Sequence, residues 1–165
     1  MTIRTYIKST LLLALIGISL GGLMLHMRIH PVSQNTSNFL PLLSGILSVI
    51  IVPLLFSSKK TLSYGYTLNG FLVIVGTIAM AHFSVMHWPQ PSTLESFVLK
   101  TTLPDIMVLW TKFFIGKALF DLELFGYDSS RNKAGVTYRY PNIGWWFVHL
   151  MAISIVYALS SRLWR

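Results

Sequence analysis

Cysteine is absent from this 165-residue chain and acid is scarce, with five Asp and Glu against thirteen Lys and Arg. Without cysteine there can be no disulfide, thiolate metal site, haem attachment through CxxCH or cysteine nucleophile, so any metal ligand must be His, Met, Asp or Glu. Charge of either sign is sparse at 11% of residues, less than half the share of soluble domains. A Gly-rich phosphate loop, an HExxH pair, a nucleophile elbow and paired catalytic carboxylates are also missing, which disfavours hydrolases and kinases. What fills the space is apolar: 53% of residues, with a mean hydropathy of +0.62. That composition describes an integral membrane protein whose main solvent is lipid. The net charge of +8 does not point to nucleic acid. Lys and Arg stand in short groups beside apolar runs, where orientation and anionic headgroups account for them, and no basic recognition motif is present.

Four runs read as transmembrane helices, at about 9–27, 39–56, 66–88 and 143–159. Arg4 and Lys8 ahead of the first run resemble a signal peptide, but no small-x-small cleavage site follows, so a retained helix is expected. Nineteen residues without formal charge separate Lys8 from Arg28, close to the ~20 that cross ~30 Å of hydrocarbon. The second run ends at Lys59 and Lys60. The third is bracketed by Tyr64, Tyr66 and Trp88, and the last by Trp145, Trp146 and Trp164, the rings expected at headgroup depth. Loops of about nine to twenty residues leave 1–165 as a single membrane domain. Gly17-x-x-x-Gly21 in the first run, and Ser44 and Ser48 in the second, offer small surfaces for close helix approach, with packing inside the bundle the expected use.

A fifth segment, about 103–124, supports two readings. Thr102-x-x-Asp105 forms a capping box with Pro104 in the first turn, and the helix is long enough to span. Lys112 and Lys117 interrupt it, with charges on one half of the wheel and Met107, Val108, Phe114, Ile115, Ala118, Leu119 and Leu122 on the other, as in an interfacial amphipathic helix. Counting Lys and Arg separates the two. With the segment spanning and the N-terminus cytoplasmic, Arg4, Lys8, Lys59, Lys60, Arg131, Lys133 and Arg139 face inward against Arg28, Lys100, Arg162 and Arg165, seven to four. An interfacial segment gives six against seven. The expectation is an all-α bundle of five spans, N-terminus inside.

Five histidines are the ionisable groups most in need of explanation: His26, His30, His82, His87 and His149. His30 and His87 adjoin Pro31 and Trp88 at helix ends, where headgroups accommodate them, and a residue before proline avoids helix, which breaks the apparent HxxxH of "LMLHMRIHP". His26 and His82 share one membrane face and fit the axial ligands of a b-type haem. His149 replaces His26 in that pair if the 103–124 segment does not cross. Met27 and Met86 could complete a copper set with His26 and His82, although methionine more often fills apolar gaps. Asp105, Lys112 and Glu123 lie on one helical stripe, and Lys117 with Asp121 makes an i,i+4 pair. If its helix spans, Lys112 needs an acidic or carbonyl partner or an aqueous cavity, and with Asp105 it becomes a candidate ion or proton path. Asn69 and Thr77 are expected to bond neighbouring helices.

The function expected from these features is that of a small non-enzymatic multi-pass protein, a subunit or interaction partner within a membrane assembly, touching lipid and other membrane subunits. The alternatives are a haem b redox anchor, on analogy of architecture alone, and a small transporter using Lys112 and Asp105.

Overall fold

The structure, a computed structural model, describes residues 2–29, 39–86 and 103–126, with helical positions at 144, 148, 149, 151, 152 and 155. Every regular element among the described residues is helical. Helix α1 is Ile3–Ile29, α2 is Phe39–Ile46, a π-helical segment covers Leu47–Ile51, α3 is Val52–Ser57, α4 is Leu62–Met86 and α5 is Leu103–Phe125. Three stretches are long and apolar enough to cross a membrane: Ile3–Arg28, Phe39–Ser57 and Leu62–Ala79. The expected span at 9–27 is thus part of a longer helix, and that at 66–88 coincides with α4 as far as Met86, its last two positions lying outside the described residues. The expected span at 143–159 lies largely outside the described residues.

The middle stretch is one helix interrupted by its own proline. Pro53 has no N–H to offer and its ring crowds the carbonyl one turn back. The helix widens ahead of it, and the Val52 N–H bonds Leu47 O, a π-type connection. Beyond Ser57 the chain reverses within four residues. Thr61 Oγ1 caps the Leu55 carbonyl at 2.7 Å, and at Gly65 a β-carbon would stand 3.1 Å from Leu55 Cβ, so α3 and α4 meet closely there. Helix α5 stops at Gly126, whose φ of +91° suits glycine and whose N–H returns to Leu122 O.

The helices form a ring. The α2–α3 stretch and α5 each pack on both α1 and α4, which occupy opposite corners. Contacts at both ends fix the directions. Arg4 reaches Glu123 while Gly22 lies beside Val108, so α1 and α5 run antiparallel. Tyr66 stacks on Phe120 with centroids 4.5 Å apart while Gly76 faces Leu109, so α4 and α5 do too. A helix lying flat against a bundle would touch each neighbour near one end only. At about 34 Å, for 23 residues, α5 instead runs lengthwise beside both.

One end of the ring, the basic end, gathers Arg4, Lys8, Lys59, Lys60 and Glu123; the opposite end holds His26 and Arg28. The half nearer the basic end is filled by Leu15, Phe56, Tyr66, Phe113, Leu119 and Phe120. Outward faces carry large apolar side chains such as Leu13, Leu43, Ile50, Leu54, Phe71 and Phe114. Apolar atoms outside, with buried Lys112, Glu123 and Asn69 inside, invert the arrangement of a protein dissolved in water.

Candidate functional site

Lys112 lies roughly 14 Å from the first residue of α5 and 20 Å from its last, near the middle of the ring. It is 5% exposed, and its Nζ donates to Ser48 Oγ at 2.6 Å. Ser48 in turn donates to Ser44 O at 2.8 Å, so its oxygen is set to accept. The π segment carries Ser48 and aims it across the ring. No carboxylate forms an ion pair with Lys112 among the described residues. Below it Asn69, fully buried, approaches the Lys112 carbonyl through Nδ2 at 3.5 Å and packs on Gly116, where a β-carbon would stand 2.3 Å from that nitrogen.

Above Lys112, toward the His26 end, the helices leave a cavity of about 90 Å³. Helix α1 contributes Ser19, Gly22 and His26; α2 and the π segment contribute Ser44, Gly45 and Ser48; α4 contributes Leu72 and Gly76; α5 contributes Leu109 and Lys112. The walls are mostly apolar. Thr10, Ser48, Thr77 and Thr111 return their hydroxyls to carbonyls one turn back, the usual resort of a hydroxyl in an apolar helix. Ser19 does not: its Oγ is buried with no hydrogen-bond partner among the described residues. A cation, an unused hydroxyl and an imidazole therefore border one small space that no Asp or Glu lines among the described residues.

The residues singled out from the sequence divide as follows. Lys112 and His26 both line the cavity. Asp105 lies on α5 seven residues before Lys112, on nearly the same face and about 10 Å nearer the His26 end; its side chain is outside the described set, as is that of His82. By position His82 falls on the last turns of α4, at the same end as His26 on the opposite corner. His149 is exposed and does not line the cavity. His30 and His87 lie outside the described residues. A space of about 90 Å³ is far below the several hundred Å³ of pockets for drug-sized ligands, so a haem b on His26 would need these helices further apart. No group of three or more His, Asp or Glu converges on a metal among the described residues.

Glu123 and Lys112 leave their common stripe for different partners. Glu123, with its side chain 1% exposed, takes Arg4 Nη2 at 2.8 Å and Lys8 Nζ at 3.5 Å, while Lys8 also donates to Ser57 O at 3.1 Å. Lys117 pairs with Asp121, as the spacing predicts. Asn69 does reach across to α5, but Thr77 bonds its own helix at Val73 O instead of a neighbour. Gly17 and Gly21 are exposed, and a β-carbon at either would meet nothing within 4 Å. The close approaches fall at Gly45, Gly65, Gly76 and Gly116.

Sequence reasoning missed Ser19 and the Arg4–Glu123 pair. Ser19 carried a weak signal, a polar residue two turns before His26 in an otherwise apolar run. No family model matches the chain, and neither the curated proteins nor the solved structures gave a match.

Proposed function

We propose that this chain is a polytopic membrane bundle in which α1, the α2–α3 stretch, α4 and α5 all cross the bilayer and residues 143–159 add a fifth span. In this reading it is a non-catalytic subunit or interaction partner of a membrane assembly, with its N-terminus on the cytoplasmic side. The lengthwise packing of α5 supports five spans, and five spans support that orientation through the seven-to-four distribution of Lys and Arg.

The observation that carries the partner reading is the open face of α1. Leu13, Gly17, Leu20, Gly21 and Met24 recur at helical spacing and are all exposed. Helix association in lipid draws on close packing of small residues rather than on hydrophobic exclusion, and a Gly-x-x-x-Gly ridge on which no described residue packs offers it. Mild-detergent purification at native expression is expected to bring the chain out with other membrane chains. Gly17→Ile with Gly21→Ile should release them without lowering the unfolding temperature. A partner-free monomer that moves solute by itself in vesicles would overturn the proposal.

A further inference from the structure

A buried ammonium needs compensation. Leaving a charge in a low-dielectric interior is costly unless it is paired and its donors are used. Lys112 has three N–H donors, and the structure gives it one acceptor, the neutral Ser48 Oγ. The second independent sign is Ser19, 7% exposed, whose hydroxyl forgoes the usual bond to its own helix and finds no other among the described residues. Both residues border the same cavity, from opposite sides of the α1–α5 contact. Among the described residues the other titratable group on its wall is His26, and the described parts of the α2–α3 stretch and α4 contribute none.

We propose that the cavity binds one compact monovalent anion of halide size, held by Lys112 Nζ with Ser19 Oγ as second donor. The volume sets the size. About 90 Å³ is room for a halide with companion water and well short of the space a drug-sized ligand takes. The charge sets the valence, because one ammonium balances one negative charge and no further formal cation lines the wall among the described residues. The apolar walls strengthen the contact by excluding competing water. Phe56, Phe113 and Phe120 fill the bundle beyond Lys112, so the cavity lies on the His26 side of the ammonium. The site does not depend on whether the outer face of α1 takes a partner.

The test is thermal unfolding of the purified full chain in neutral-lipid nanodiscs, titrated with sodium chloride or bromide at ionic strength held constant with sodium gluconate, whose anion is too large to enter. A saturable rise in unfolding temperature with halide is expected. Lys112→Met should abolish it. Ser19→Ala, which keeps the ammonium, should raise the half-saturating concentration about tenfold, the usual loss for one hydrogen bond to a charged group. Should Lys112→Met fail to fold, the Ser19→Ala titration decides alone. A wild-type response no different from gluconate, a Lys112→Met protein that responds like wild type, or a Ser19→Ala protein with unchanged half-saturation each overturns the proposal.

Discussion

Lys112 and Ser48, 64 positions apart in sequence, meet at 2.6 Å in the middle of the ring and join α5 to the π segment. Ser48→Ala removes the acceptor that the structure gives a buried ammonium, so a loss of about 1–3 kcal/mol in unfolding free energy is expected. Adding Lys112→Met to Ser48→Ala should restore part of that loss, because an apolar pair of similar volume leaves no stranded charge. Denaturation of the two single variants and the double variant in one detergent checks the sign of the coupling.

At the basic end, Glu123→Gln keeps the volume and removes the charge that Arg4 and Lys8 share. The Arg4 side chain is 49% exposed and Glu123 nearly fully buried, so the cost should fall between that of an exposed pair and a buried one, about 2 kcal/mol. Arg4→Met in the Glu123→Gln background should then change little further. A fall in unfolding temperature for Glu123→Gln alone, with a small second step, is the expected pattern.

Glycine substitutions should separate inner from outer surfaces. Gly116→Ala puts a methyl 2.3 Å from Asn69 Nδ2 and should destabilise by about 1–3 kcal/mol. Gly17→Ala meets open space and should be neutral or stabilising by up to about 1 kcal/mol, the helix-propensity gain. The comparison needs only unfolding temperatures of the two proteins.

Because the chain has no cysteine of its own, single introduced cysteines report sidedness cleanly. Thr2→Cys, Ser58→Cys and Gly126→Cys all lie at the basic end and should react with an impermeant maleimide from the same side, the cytoplasmic one. Arg28→Cys should react from the other. Protection of Gly126→Cys from the side that labels Ser58→Cys would show that α5 does not cross as proposed.

Pro53→Ala should restore an ordinary helix through 47–51, with Val52 N–H moving from Leu47 O to Ser48 O. Ser48 would rotate out of line with Lys112. A structure of the variant, or loss of the coupling between Ser48 and Lys112 in the same double-variant cycle, checks it.

In the proposed membrane setting the helices were largely legible because lipid would impose a simple rule: uncharged runs of about twenty residues leave no other way to satisfy the backbone. Lys112 was legible for the same reason, since a lysine in mid-helix must be answered by something. The partner was not. Ser48 looked like a small residue for close packing, and nothing short of the ring geometry shows that Pro53 widens the helix and turns that hydroxyl toward α5. Gly17 and Gly21 went the other way, matching a packing motif by spacing yet facing outward. Spacing fixes which residues share a face; only the neighbours decide whether that face is used. The Arg4–Glu123 contact, across 119 positions, is beyond any local pattern.

Ring closure gives the order of synthesis a physical meaning. Helices α1 to α4 precede α5 in the chain, and in the finished ring they line three of its sides as a trough, with the Ser48 and Ser19 hydroxyls facing inward and Arg4 and Lys8 at one rim. Helix α5 follows with the two groups least suited to lipid, Lys112 and Glu123, and each finds its counterpart already in place. Without α5 that trough stays unsealed, and the Ser48 hydroxyl and the Arg4 guanidinium both lose the partners that α5 brings.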